Sequence, residues 1–304
     1  MVSSVYTTAE SVEVPVAASV EATEPMSSRI LRFLGRTPVY LFLAFIGVLW
    51  LVPTLGLFFT SLLEPAQIST TGWWEIISQP SLATLENYGD ILDNEAITSA
   101  IWTTLWISLG ATILPIFLAS MAAYAFAWLE FPGRDWLFLI VVALLVVPIQ
   151  MALIPIFSLY NNLGLFDTIL GLVLFHTAFG LPFAIFLLRN FFIGIPRDLL
   201  EAARIDGASE IRIFLRLILP LGLPAIASLA IFQFLWVWND LLVALTFARD
   251  TQPITVAIFS QMRQFSANIE LIAPAAFLSL AIPLVVFFAF QRYFVQGLLA
   301  GSVK

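Results

Sequence analysis

The sequence of 304 residues has no cysteine, a single histidine and a single lysine, and only 11% of its residues are charged. Without cysteine the chain forms neither disulfides nor thiolate metal sites, and His176 alone cannot supply a histidine-based zinc site. The lysine is the last residue, Lys304, so the chain has no internal GxxxxGK[ST] loop for binding nucleotide phosphates. Its net charge of -7 is not that of a nucleic-acid-binding protein.

Apolar side chains are what the chain has in excess: 61% of its residues are hydrophobic and its mean hydropathy is +0.98. A soluble domain of this length leaves too much of its surface in water to accommodate such a composition. Uncharged stretches of about 20 residues are long enough to cross a bilayer, and six candidates are present: 37–63, 96–129, 137–160, 168–188, 217–239 and 271–291. We therefore predict an all-α polytopic membrane protein with six transmembrane helices.

The basic residues predict how these spans are oriented, because cytoplasmic loops are enriched in arginine and lysine. Of the 13 basic residues, only Arg249 and Arg263 fall on the side opposite to the N-terminal segment. The stretch 64–95 has acidic residues and no basic one. We expect both termini and residues 189–216 in the cytoplasm, with 64–95 and 248–270 outside.

Composition divides the chain into three parts. Residues 1–36 are polar, with four glutamates before residue 25 and a short basic segment of Arg29, Arg32 and Arg36, which predicts a disordered cytoplasmic tail that ends against the membrane. Residues 37–296 make up the six-span transmembrane domain, and 297–304 form a short cytoplasmic tail. Prolines inside most spans predict kinked helices, and the small residues of 119–123 allow close approach between helices.

The cytoplasmic loop 194–220 predicts two short helices joined at a glycine. Pro196 suits a first helical turn, Gly207 suits a helix end because glycine accepts a positive φ, and Ser209 is a candidate cap for the second helix. The predicted apolar faces are Leu199, Leu200 and Ala203 in the first helix, and Ile211, Phe214, Leu215 and Ile218 in the second. Two alternatives stay open: a docking site for another protein, and an amphipathic hairpin at the membrane surface without a partner.

The motifs of this loop resemble those of a known family. Glu201-Ala202-Ala203, Gly207 and Leu219-Pro220 resemble the EAA loop in membrane subunits of binding-protein-dependent ABC importers, with Leu217 where an isoleucine is usual. Similarity to the carbohydrate branch, related to the second maltose-type permease subunit, runs from about residue 38 to the end of the chain. It is carried by Phe131-Pro-Gly-Arg134, Leu163-Gly-Leu-Phe-Asp-Thr168, Trp238-Asn-Asp240 and Gln291-Arg-Tyr-Phe-Val-Gln-Gly297.

The resemblance implies that the first helix of the loop is a coupling helix, which docks in a cleft of an ATPase subunit. The residues that it assigns to this contact are Glu201, Ala202, Ala203, Asp206, Gly207 and Ala208. The implied function is ATP-driven import of a sugar, an α-glucoside or other oligosaccharide, across the bacterial cytoplasmic membrane. The chain itself is then a non-catalytic subunit without a cofactor or metal.

The resemblance also implies a set of partners. They are a second homologous permease subunit, two P-loop ATPase subunits that bind Mg-ATP, an extracytoplasmic sugar-binding protein and the lipid bilayer, but no nucleic acid. The tail from Gly297 is implied as a further contact with the ATPases.

Asn239 and Asp240 interrupt an apolar span, where a carboxylate is costly unless it is paired or wetted. With Trp236 they are candidates for lining a sugar path, because sugars bind against aromatic faces and hydrogen-bonding side chains; Trp238 would offer a second such face. The alternative is a structural polar pair near the outer end of the span. His176 is predicted to be a packed, hydrogen-bonded residue.

Two other classes of protein are alternatives. An ion-coupled secondary transporter is the alternative function, although such proteins usually have internal repeats and more buried ionisable residues than Asp240 alone. A membrane enzyme would need a constellation for general acid–base chemistry, which one histidine and isolated acids do not provide.

Overall fold

The computed structural model describes residues 26–68, 70–264 and 269–300, and in these ranges the chain consists of helices joined by turns and short loops. The helices are α1 (Met26–Ser61), α2 (Glu75–Ser78), α3 (Glu86–Asp93), α4 (Glu95–Trp128), α5 (Arg134–Leu144), α6 (Ile149–Leu163), α7 (Ile169–Ile193), α8 (Arg197–Ile205), α9 (Glu210–Ile213), α10 (Leu219–Trp238), α11 (Leu242–Phe247), α12 (Ile254–Gln264) and α13 (Ile269–Ala300). Residues 1–25 and 301–304 of the two predicted tails lie outside the described ranges.

The chain divides into two compact units, residues 1–52 and 53–304. In the first unit, α1 begins at Met26, inside the segment predicted as a tail. Its side chains from Val39 to Val52 are mostly exposed and apolar. Such a surface is that of a helix solvated by lipid rather than by water.

Five helices in the described residues are long and apolar enough to cross a membrane: Thr37–Ser61, Glu95–Trp128, Ile169–Ile193, Glu210–Trp238 and Ile269–Arg292. The pair α5 and α6 adds a sixth span if the two helices are counted together. The predicted all-α polytopic membrane fold is thereby confirmed.

The third predicted span, 137–160, is not one continuous helix. Its two halves, α5 and α6, meet at an angle of 97°. Residues 145–147 form tight turns in which each N–H donates to the carbonyl three residues back. Pro148, which has no N–H, disfavours helical geometry in the residue before it. The other intrahelical prolines, such as Pro115 and Pro182, leave their helices continuous, so a proline alone did not identify the break.

The core of the second unit lies where α4, α7 and α10 pack together. One cluster of buried side chains combines Ala119 and Ala123 of α4 with Leu188 and Phe192 of α7 and Leu229 of α10. The two alanines have no exposed surface, which confirms that the small residues of 119–123 let neighbouring helices approach closely.

One polar side chain holds these three helices together. The amide nitrogen of Gln233, on α10, donates to the carbonyl of Ala111 on α4 at 3.0 Å and to that of His176 on α7 at 3.4 Å. Gly180 makes room for it, because a Cβ there would lie 2.5 Å from Nε2 of Gln233. A glycine on α7 and a glutamine on α10 thus form one packing unit.

Gly180→Ala should therefore destabilise the protein by displacing the Gln233 amide from both carbonyls. We expect a loss of about 1 kcal/mol, within the range measured for hydrogen bonds between membrane helices. Thermal unfolding of the purified protein in detergent, followed by tryptophan fluorescence, measures the change.

The same substitution should cost much less in a Gln233→Ala background, where no amide remains to be displaced. Gly89→Ala is the control, since a Cβ on that helical glycine meets no atom within 4 Å. An equal loss of stability with and without Gln233 would contradict the packing unit.

Candidate functional site

The first helix of the 194–220 loop, α8, ends as its sequence predicts, but Pro196 lies at the N-cap rather than in the first turn. Pro196 precedes its first residue, Arg197, and Asp198 lies in the first turn, where the helix dipole favours an acid. Arg197 Nε donates to Glu201 Oε1 at 2.8 Å across one helical turn. These interactions define a nine-residue helix with a fixed start.

Gly207 terminates α8 in a left-handed conformation, with φ of 78°. The N–H of Gly207 donates to the carbonyl of Arg204, and the N–H of Ala208 donates to that of Ala203, both at 3.0 Å. This pair of bonds is a Schellman motif, which satisfies the last carbonyls of a helix. The predicted turn at Gly207 is confirmed, and its geometry favours glycine because other residues strain there.

One face of α8 rests on the core and the opposite face is exposed. Leu200 is fully buried in the same cluster as Phe192 and Ile213, and Ala203 and Ala208 pack against this cluster half-buried. Of the residues predicted for coupling, the exposed ones are Glu201, Ala202, Asp206 and Gly207. The prediction for Leu199 was wrong: it is 44% exposed, because it lies a quarter turn away from Leu200.

The second helix of the loop differs from its prediction in two respects. Ser209 holds the N-cap position of α9, but its side chain makes no capping hydrogen bond. Ile211 and Leu215 are 73% and 54% exposed, whereas Ile213 and Ile218 are buried. The predicted apolar face was therefore wrong for Ile211 and Leu215.

A wide helical turn explains part of this difference in helix face. Between α9 and α10, residues 214–218 form a π-helical turn in which the N–H of Leu219 donates to the carbonyl of Phe214, five residues back. Pro220 follows at once and offers no N–H to Arg216. A π-helical turn contains about one residue more than an α-helical turn. The 3.6-residue spacing on which the predicted face depends therefore does not hold across residues 214–218.

Glu210 connects this loop to a transmembrane helix, a contact that the sequence did not predict. Its carboxylate accepts hydrogen bonds from Arg204 Nε at 2.9 Å and Nη2 at 3.4 Å, and from the hydroxyl of Tyr124 on α4. Tyr124 is 86 positions away in the chain. No local pattern signals a pairing across so long a separation in the chain.

The three candidates for the substrate path lie near one another at the end of α10. Asp240 Oδ2 is 3.7 Å from Nε2 of the buried His176. The indole of Trp236 meets the imidazole of His176 edge-to-face, with ring centroids 5.3 Å apart. Asn239 is exposed, and its amide donates to the carbonyl of Leu235 in the preceding turn. The carboxylate of Asp240, the imidazole of His176 and the 42% exposed indole of Trp236 therefore lie next to one another.

Asp240 also has a structural role. Its carboxylate accepts the N–H groups of Val243 and Ala244 at the start of α11, and its carbonyl accepts the Thr255 hydroxyl at 2.6 Å. Trp238 is 1% exposed and donates to the carbonyl of Ser279. The expectation that Trp238 offers a face to a sugar was therefore wrong, because its indole is fully packed.

Buried hydroxyl groups on α4 and α7 were missed by the sequence reasoning. The side-chain oxygens of Ser108, Thr112 and Thr177, like Nδ1 of His176, have no hydrogen-bond partner among the described residues. Each residue type is common in apolar helices, so only the three-dimensional contacts distinguish these positions.

A second carboxylate, Asp167, fastens two loops together at the same end of the helices. It lies between α6 and α7 with φ of 58° and accepts the backbone N–H groups of Arg249, Asp250 and Thr251 at 2.8–3.1 Å. Thr251 returns a hydrogen bond to the Asp167 carbonyl. Burial acts to raise the pKa of this carboxyl, but the donors from Thr251, Asp250 and Arg249 outweigh it and hold the pKa below its usual value.

The helical arrangement defines a class of membrane protein. A chain of a bacterial ABC transporter involved in the import of the acidic polysaccharide alginate has the same fold, with a TM-score of 0.71 and 20% identity over 89% of this chain and 98% of that chain. A chain of the inward-facing methionine transporter MetNI aligns with a TM-score of 0.54 and 16% identity, over 66% of this chain and 95% of that one. The fold is therefore that of ABC importer permeases.

Sequence comparison identifies the family. The chain belongs to the binding-protein-dependent transport system inner membrane components, whose family model matches residues 115–299. It is 48% identical over 284 residues to the osmoprotective compounds uptake permease protein GgtD of Synechocystis sp., covering 91% of this chain and 95% of that protein. The resemblance inferred from the EAA-like loop is confirmed.

Two further relatives are named for sugars. The α-glucoside transport system permease protein AglG of Rhizobium meliloti is 49% identical over 233 residues, covering 74% of this chain and 61% of AglG, so the chain matches only part of that longer protein. The trehalose transport system permease protein SugB of Mycobacterium tuberculosis is 39% identical over 259 residues, covering 84% of this chain and 92% of SugB.

Asp167→Asn should loosen the two loops, because an amide has one acceptor oxygen and no charge, while asparagine still tolerates the positive φ. We expect a loss of about 1 kcal/mol at neutral pH, with solvent screening allowed for. Since the folded pKa is depressed, the stabilisation is present above the unfolded pKa of about 3.9 and is lost as pH falls through the lower folded value. The difference in unfolding temperature between the two proteins should shrink below about pH 4.

Asp250→Asn is the matched control for this experiment, since its carboxylate lies in the same loop but only its backbone N–H contacts Asp167. A constant difference between Asp167→Asn and the unsubstituted protein across the acid range would contradict the role of the charge.

Proposed function

We propose that the chain is the sugar-conducting permease subunit of an ATP-driven importer for an α-glucoside or similar oligosaccharide. Family membership supports the transport function, and the names of AglG and SugB support this class of substrate. The observation that carries the proposal is the geometry of α8, which is anchored by Leu200 and exposes Glu201 and Ala202.

We propose α8 as the docking element for an ATPase subunit. The small, exposed side chain of Ala202 lets another protein approach the helix closely. Glu201 offers a carboxylate that is 53% exposed and is already oriented by Arg197. The turn at Asp206 and Gly207 fixes where the helix ends. Ala203 packs the other face of the helix on the core, and Ala208 packs against the same cluster just after the turn. A helix that is rigidly seated on one side and exposed on the other suits force transfer better than an unanchored hairpin would.

The assembly that follows from this role has other chains. Two P-loop ATPase subunits bind Mg-ATP, a second homologous permease completes the path, and an extracytoplasmic binding protein delivers the sugar. The chain itself supplies no nucleotide site, in line with its single terminal lysine. A secondary transporter is not favoured, because the family depends on binding proteins.

The proposed orientation places both termini and the 194–220 loop in the cytoplasm. It rests on the basic residues that flank these segments and on the acids in 64–95. Residues 1–36 then form a cytoplasmic segment, 37–296 the transmembrane domain, and 297–304 a tail toward the ATPases. Trp236, Asn239 and Asp240 lie toward the outer side, where a sugar arrives from its binding protein.

Gly207→Val should abolish coupling while the spans still insert. A side chain at φ of 78° strains the turn by about 1 kcal/mol or more, which tilts α8 away from its partner. We expect normal membrane expression, weaker capture of the ATPase subunit and loss of uptake of radiolabelled trehalose or maltose. Expression, pull-down and uptake are measured on the same membranes, together with phosphate release by the purified chain alone, which should be absent.

Gly133→Val is the matched control, because Gly133 has φ of 80° and, like Gly207, no atom within 4 Å of a Cβ. It imposes the same strain outside the 194–220 loop and should leave ATPase capture intact. Unchanged uptake and assembly in Gly207→Val would remove the coupling role from this loop, and ATP hydrolysis by the isolated chain would refute the assignment.

The orientation is tested by cysteine labelling, for which a chain without native cysteine is well suited. An impermeant thiol reagent should label Ser81→Cys in intact cells but should label Ser209→Cys only after the membrane is opened. Both serines are exposed in the structure, so accessibility to the reagent depends on the side of the membrane. Labelling of position 209 in intact cells would invert the proposed topology.

A further inference from the structure

Glu210 lies where three parts of the chain meet. It is the first residue of α9; Arg204 reaches it from the last turn of α8, and Tyr124 reaches it from the end of α4. The helices α8 and α9 are neighbours along the chain, but α4 ends 69 residues before α8 begins. The carboxylate of Glu210 therefore links the loop by hydrogen bonds to a span that adjoins neither of its ends.

The chemistry of this junction favours a stiff connection. Two nitrogens of one planar guanidinium engage the two oxygens of Glu210, and hydrogen bonds to a charged carboxylate are the stronger kind. Tyr124 is 5% exposed and belongs to the cluster that contains Leu200, the buried anchor of α8. Its ring also packs on Phe214, with centroids 5.4 Å apart. Tyr124 therefore cannot swing aside to follow the loop without unpacking the core.

The covalent connections of α8 to the spans are less direct. On one side the chain passes from α7 through Gly194 and Pro196, and on the other it passes through α9 and the π-helical turn 214–218 before α10. Such turns carry an irregular hydrogen-bond ladder and recur at functional sites. The neighbouring ion pair Arg197–Glu201 is internal to α8. Among the described contacts of these acidic side chains, only that of Glu210 reaches α4.

We propose that Glu210 is a positioning residue that transmits displacement of the coupling helix α8 to α4 through Arg204 and Tyr124. The inference rests on the proposed function of α8 as the docking element. Because Gln233 ties α4 to α7 and α10, a push delivered at Tyr124 moves the three packed helices together rather than bending α10 alone.

The test uses the assembled transporter in proteoliposomes, with the chain co-expressed with its ATPase and second permease subunits. Tyr124→Phe removes one hydroxyl, and Glu210→Gln removes the charge at nearly constant volume. Capture of the ATPase, ATP hydrolysis and uptake of radiolabelled trehalose or maltose are measured on each variant. We expect capture and hydrolysis to persist while sugar moved per ATP falls about fivefold or more, the lower end of coupling between sites in allosteric proteins.

Two controls separate this effect from a general loss of structure. Arg212→Gln removes an exposed charge from the same helix, and Tyr160→Phe removes the hydroxyl of a buried tyrosine that donates to the carbonyl of Gly171. Neither should change the sugar moved per ATP. In a Glu210→Gln background, Tyr124→Phe should cause little further loss, because both act through one carboxylate.

An unchanged ratio of sugar to ATP in both Tyr124→Phe and Glu210→Gln, with assembly intact, would overturn the proposal. Loss of ATPase capture in Glu210→Gln would also overturn it, because Glu210 would then belong to the docking contact itself. Failure of the underlying function has a different signature: the unsubstituted chain would capture no ATPase or would show no ATP-dependent uptake.

Discussion

The hydrogen bonding of the backbone constrains this structure more than any other interaction, because a bilayer offers no partner to a freed peptide group. At the starts of three helices, side chains accept backbone N–H groups that have no partner within the helix. Asn94 accepts the N–H groups of Ala96 and Ile97 at the start of α4, Thr168 accepts that of Gly171 in α7, and Asp240 caps α11. At these three helix starts a polar side chain therefore satisfies backbone groups that an apolar residue would leave unpaired.

This constraint gives the substrate-path candidates two roles at once. Asp240 caps a helix, accepts the Thr255 hydroxyl and approaches His176, so its polar atoms are already engaged before any sugar arrives. The alternative interpretation, a structural polar pair near the outer end of the span, accounts for these contacts of Asp240. The exposed indole of Trp236 and the exposed amide of Asn239 are the groups that remain open to a ligand. Asp240 then contributes to the path indirectly: it lies beside His176, and the imidazole of His176 packs against the indole of Trp236.

The sequence predicted what depends on composition and on short spacings. Apolar length identified the spans, and glycine chemistry identified the left-handed turn at Gly207, because both are local properties. The 97° break before Pro148 and the burial of Trp238 were missed. Other prolines, such as Pro115, lie inside continuous helices, and Trp236 on the same helix as Trp238 is exposed, so residue type alone does not decide either outcome. The faces of α9 were partly wrong because the π-helical turn shifts the helical period. The Glu210–Tyr124 contact joins residues 86 positions apart, which no single-sequence pattern reports.

The helix α10 joins the proposed docking loop to the substrate-path candidates. It begins beside the EAA-like loop and ends at Trp236 and Trp238, next to the path candidates. Its first half contains Pro220 and Pro224, which remove two backbone donors, and follows a π-helical turn, so this half is the more deformable one. Its second half carries Gln233, whose bonds to α4 and α7 hold it in the core. If α10 were the only connection, its deformable first half would absorb a displacement of the loop. The displacement then reaches Trp236 only by a second route, through the packed core. The contact between Glu210 and Tyr124 supplies such a route, because α4 enters the same packed unit as Gln233 without passing through the deformable half of α10.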